Sequence, residues 1–102
     1  MEKYFRKPLP VEAVQYNGSE EHAREIQTWV SRYGGSSIYR TGYTDSNYDG
    51  VLKVPNRIEI EKAGTAKPGD WIVCFGDDRG HHSGYFQVMN DENFKRRFTK
   101  KL

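Results

Sequence analysis

Hydrophobic and polar positions alternate along residues 11–16, with Val14 and Tyr16 on one parity. That period of two predicts a first strand, ended by Asn17-Gly18. The period then changes. Ala23, Ile26, Trp29, Val30 and Tyr33 fall on one face of a helix. Ser19 is a suitable N-cap, Glu20 and Glu21 suit the positive helix end, and Gly34-Gly35 terminates it. Ile38 to Thr41 reads as a strand. Gly42 to Gly50 is polar and turn-rich, and is expected as an exposed loop. Val51 to Val54 reads as a returning strand and Pro55-Asn56 as a turn. Ile58 and Ile60 alternate with charged residues, as in a half-buried strand.

Ala66-Lys67-Pro68-Gly69-Asp70-Trp71 is the sharpest local signal. Pro68 presets φ and Gly69 permits φ > 0, the combination a type II turn requires. Trp71 to Phe75 then predicts a buried strand, with Trp71 in the core, and Tyr85 to Met89 its hairpin partner. The nine residues Gly76 to Gly84 between them exceed an ordinary hairpin loop. Asn90 or Asp91 caps a last short helix, where Phe94 and Phe98 share a face at i, i+4. The expected fold is α+β. One twisted, mainly antiparallel sheet of about five to six strands, curling toward a partial barrel, packs on one main helix.

Composition narrows this picture. The chain has 102 residues, enough for one domain with one modest core. Aromatics supply 14% of it against an apolar total of 35%, so the core leans on Phe, Trp and Tyr. The net charge is +2, unevenly spread. Residues 8–94 hold eight basic against thirteen acidic side chains, a formal −5. Basic ends, about residues 1–7 and 99–102, are expected to be flexible and flank an acidic body. Cys74 is the only cysteine, which excludes an internal disulfide. No apolar run reaches the roughly 18 residues of a membrane span, and no signal peptide is visible. A cytoplasmic location without membrane contact is the expectation.

The chain resembles short proteins of tailed phages and prophages. Lys7-Pro8, Glu12-Ala13-Val14-Gln15-Tyr16, Pro68-Gly69-Asp70-Trp71-Ile72, Tyr85-Phe86 and Asn93-Phe94 carry the resemblance. It covers both ends and leaves the middle free. This chain departs from the pattern in its longer Asp77–Gly84 loop and in Gly84, where a Glu often precedes the aromatics. The shared residues are structural, so the resemblance implies no catalytic residue. It implies a non-enzymatic accessory protein in the host cytoplasm.

Chemistry-bearing clusters are sparse. Asp77, Asp78, His81 and His82 could converge on a metal, but a polar loop tip explains them equally. Asp45, Asn47 and Asp49 before Gly50 lack the later Glu of a calcium loop. Cys74 with His22 lacks an oxyanion donor and an orienting third group. No metal or cofactor is expected. Tyr39, Arg40, Tyr43 and Tyr48 instead form a candidate protein-binding surface, since exposed Tyr with Arg is hot-spot chemistry. The partner would be a host or phage protein. An open edge at Ile38–Thr41 would also permit a homodimer. Lys95, Arg96, Arg97, Lys100 and Lys101 are the candidate nucleic-acid contacts of an alternative reading. A minor virion component is a third.

Overall fold

A computed structural model describes residues 2–6, 9–47, 50–76 and 82–100. Its elements in chain order are β1 (Glu2–Arg6), β2 (Leu9–Gln15), α1 (Glu20–Arg32), β3 (Ser37–Arg40), β4 (Tyr43–Asn47) and β5 (Gly50–Val54). There follow β6 (Arg57–Ile60), β7 (Gly64–Ala66), β8 (Trp71–Gly76), β9 (His82–Met89), α2 (Asp91–Arg97) and β10 (Thr99–Lys100). The class is α+β, as expected. The single sheet is not found, nor a closed barrel. Three antiparallel sheets replace it, with strand orders β10-β1-β2-β8-β9, β3-β6-β7 and β4-β5.

The central strands β2 and β8 of the five-stranded sheet are covered on both faces. Val14, Tyr16, Ile72, Cys74 and Phe86 pack with Ala23, Ile26, Trp29 and Val30 of α1, together with Ile58, Ile60 and Ala66. Val11, Ala13 and Val73, of opposite parity, pack with Met89, Phe94 and Phe98. Successive strand side chains point to opposite faces, so β2 and β8 each feed both clusters. This explains why Ile72-Val73-Cys74 is continuously apolar rather than alternating.

The helices form where local chemistry satisfies their ends. Ser19 caps α1, its Oγ accepting from His22 N at 3.0 Å. Tyr33 is the C-cap, and Gly34 follows at φ 82°. Asn90 caps α2, its Oδ1 accepting from Asn93 N at 2.8 Å. The corner before β8 is the expected turn: Asp70 N donates to Lys67 O at 2.9 Å, and Gly69 has φ 93°. It is tied to β2. Gly69 N donates to Tyr16 O at 2.8 Å, and Gln15 Nε2 to Gly69 O at 3.1 Å.

Trp71 departs from expectation. It is half-buried, with its ring stacked on Phe94 at 3.8 Å and its Nε1 donating to Asp91 Oδ1 at 2.8 Å. The indole N–H needs a polar partner, and α2 supplies one at the core rim. Phe94 and Phe98 dock on the sheet as the i, i+4 spacing predicts, both buried. The two chain ends also add pairing. β1 pairs with β2 and with β10, Tyr4 opposite Lys100.

Because α2 has seven residues, too few to be stable alone, its packing holds it in place. Phe94→Ala should therefore cost about 3–5 kcal/mol in chemical denaturation, whereas Arg97→Ala should stay within about 0.5 kcal/mol.

Candidate partner-binding ribbon

Residues 42–47 are not a loop. Tyr43–Asn47 pairs with Gly50–Val54, Tyr43 opposite Val54 and Asn47 opposite Gly50. The register continues that of β3 and β6, where Ser37 faces Ile60 and Arg40 faces Arg57. Two residues on each strand separate the halves, with no slip. Residues 37–47 and 50–60 therefore form one long β-ribbon, about 37 Å at about 3.4 Å per residue. Its root lies in the body and its distal half projects. The molecule measures 54 × 27 × 22 Å, and its radius of gyration is 14.9 Å. A compact chain of this length would have about 13 Å.

The break falls at Gly42 and Pro55. Pro55 has no N–H to give to a ladder. Gly42 N donates instead to Asn56 Oδ1 at 2.6 Å, and Asn56 Nδ2 donates to Gly18 O at 2.9 Å. One side chain thus ties the joint to the turn ahead of α1. Any Cβ at residue 42 would strike Val54 O, so the crossing requires glycine.

Strand parity gives the ribbon two unlike faces. Tyr39, Ile58 and Ile60 share one face at the root, where the two isoleucines are buried and Tyr39 packs against the core. The same parity continues outward to Tyr43, Val54 and Leu52, with Asp45 opposite Leu52. There the apolar side chains lose their cover: Tyr43 is 54% exposed and Leu52 54%. The other parity carries Arg40, Arg57, Thr44, Lys53, Ser46 and Val51, the last 65% exposed.

The tyrosine cluster is accordingly divided. Tyr39 sits half-buried at the core rim and Arg40 faces the other way, ion-paired with Glu59 at 3.2 Å. Tyr43 is exposed on the distal half, and Tyr48 lies outside the described residues. Among the described residues β3 is an outer strand of its sheet, paired with β6 alone, and Gln27 Nε2 of α1 donates to Ser37 O at its start at 3.4 Å. Val51 and Leu52 are the surface residues that sequence reasoning assigned to an ordinary strand. Their signal is a Val-Leu pair facing the polar stretch Thr44-Asp45-Ser46-Asn47.

The basic candidates on α2 all face solvent. Lys95 pairs with Asp91 at 3.0 Å and Arg96 with Glu92 at 3.0 Å, both at i, i+4. Arg97 is exposed, Lys101 is outside the described residues, and only the backbone of Lys100 is described. Asp49, Asp77, Asp78 and His81 also lie outside them. Among the described residues, no three His, Cys, Asp or Glu side chains come together as metal ligands would. Among them, too, no helix is long and apolar enough to cross a membrane. His22 is engaged locally: its Nδ1 accepts from Asn17 N at 3.0 Å and its ring stacks on Tyr16. Cys74 is buried beside Glu12 of the adjacent strand.

Glu12 is the one buried charged group among the described residues. Tyr33 Oη donates to its Oε2 at 2.7 Å and Trp29 Nε1 to its Oε1 at 3.4 Å, fastening α1 to β2. That bond to Glu12, with burial and the carboxylate charge, raises the Tyr33 pKa above its ordinary value of 10.0. Compared with known proteins, the chain matches no family model, no curated protein and no solved structure.

The Glu12 clamp has a pH signature. A raised Tyr33 pKa stabilises the fold fully below pH 10.0, and this contribution is lost as pH rises through the folded value. Tyr33→Phe should cost about 1–3 kcal/mol at neutral pH, by leaving Glu12 short of a donor. It should also flatten the alkaline part of the stability curve, measured by urea unfolding between neutral and alkaline pH.

Proposed function

We propose that this chain is a non-enzymatic accessory protein of a tailed phage or prophage, acting in the host cytoplasm by binding a host or phage protein. The distal ribbon is its docking surface. One observation carries this reading. Tyr43, Val51 and Leu52 stand exposed on a two-stranded projection, with no layer packed beneath it among the described residues. An isolated two-stranded hairpin is marginal in water, so a partner that covers it supplies stability the ribbon lacks alone. Tyr43 on this projection also has the side-chain type enriched among the anchors of protein interfaces.

The nucleic-acid alternative has weaker support. Two of the three helical cations are already paired with carboxylates, and Asp45 stands on the ribbon where it would repel phosphate.

The test is capture from nuclease-treated host lysate, with the retained protein identified and its affinity then measured. Val51→Thr with Leu52→Thr places a β-branched strand former at both positions but removes the apolar surface. This pair should weaken the complex at least tenfold, while Lys95→Gln, Arg96→Gln and Arg97→Gln together should leave it unchanged. The opposite pattern would reject the ribbon as the docking surface.

A further inference from the structure

The ribbon's two faces define what its partner must look like. We propose that the occupant is an extended segment of a protein that adds as a third strand along β5, with apolar and acidic residues alternating along it. This rests on the reading of the ribbon as a docking surface.

Edge availability comes first. The outer edge of β6 is taken by β7, and β3, reached at its first residue by Gln27 of α1, belongs to the root rather than the projection. Among the described residues, β4 and β5 present outer edges without a neighbouring strand along the projecting half. Such an edge offers backbone N–H and C=O groups to an incoming strand, and the side chains of that strand then set specificity. The choice between the two edges follows from charge. β4 carries Asp45 on the apolar parity, so an incoming apolar side chain beside it would lie against a carboxylate. β5 presents Leu52 and Val54 on that parity, both apolar.

The other parity of β5 carries Lys53 between Val51 and the root, and Arg57 follows on the same parity in β6. Arg40, directly opposite Arg57, is neutralised by Glu59 at 3.2 Å. Lys53 and Arg57 have no ion pair among the described residues. Cross-strand neighbours of opposite charge stabilise a sheet, and like charges destabilise it. A strand laid on β5 therefore fits best with apolar residues beside Leu52 and Val54 and with Asp or Glu beside Lys53.

This pattern disfavours pairing with β4 or β5 of a second copy. A second β5 would bring another Lys53 to the cationic face. A second β4 has Thr44 and Ser46 at that parity and its Asp45 on the apolar side. A nucleic acid meets the cations but has nothing for Leu52 and Val54.

Two synthetic decapeptides test the proposal, one alternating Val and Glu and the other alternating Val and Lys. Each is titrated into isotopically labelled full-length protein at low salt. The Val/Glu peptide should bind at least tenfold more tightly, with amide shifts concentrated at Val51–Val54. The preference should shrink as salt rises, and Lys53→Glu should reverse it. Equal affinities, shifts centred on β3 or α2, or displacement of the peptide by a single-stranded oligonucleotide would overturn the inference. So would a wild-type dimer formed through the ribbon in a concentration series. If the captured lysate protein still depends on Val51 and Leu52 while the peptide preference fails, this inference alone falls. If that dependence fails, the docking reading falls with it.

Discussion

Double-sided burial of two central strands is the constraint on which the fold depends. β2 sends Val11 and Ala13 one way and Val14 the other, and β8 does the same with Val73 against Ile72 and Cys74. Antiparallel sheets often leave one face wet. Here α1 and α2 close both. A small domain gains much from this, because two strands serve two cores and the buried fraction rises without added length. It also dictates the tethers. Glu12 is on the α1 side of β2, where Tyr33 and Trp29 meet its carboxylate. On the α2 side, Trp71 stacks on Phe94 and bonds Asp91.

The ribbon is held by that body without being part of it. Its root contributes Ile58 and Ile60 to the α1-side core. Beyond Gly42 and Pro55 the same strands continue in register, but none of the described residues lies over their apolar face. Asn56 bridges Gly42 and Gly18, so the projection is anchored to the turn that starts α1. The protein thus combines a doubly covered sheet with an uncovered one. The contrast between buried Ile58 and exposed Leu52 is what makes the distal half a surface for others rather than a piece of core.

Much of the body is legible in the sequence because local chemistry and tertiary packing agree there. Ser19, Gly34, Gly69 and Asn90 each occupy the position their backbone chemistry favours. Phe94 and Phe98 show their helical spacing directly. The ribbon was misread for a physical reason. A strand announces itself by alternation against a core, and Thr44-Asp45-Ser46-Asn47 has no core to alternate against. Its identity lies in register carried outward from β3 and β6, a long-range property that composition does not reveal. The single sheet failed similarly: Pro55 and Gly42 read as turn residues, but they interrupt a ribbon rather than end one. Tyr39 and Tyr43 looked like one cluster, yet the root buries one and the projection exposes the other.

A continuous ribbon with an exposed distal half is the feature on which docking depends. Proton–proton distances and amide exchange in solution test both at once. Cross-strand contacts should appear between Tyr39 and Ile58 and, in the same register, between Tyr43 and Val54. Amides of Ile58 and Ile60 should exchange slowly, and those of residues 43–54 much faster, because no layer covers them. Contacts from Tyr43, Val51 or Leu52 to α1 or to the five-stranded sheet, with slow exchange throughout 43–54, would contradict it.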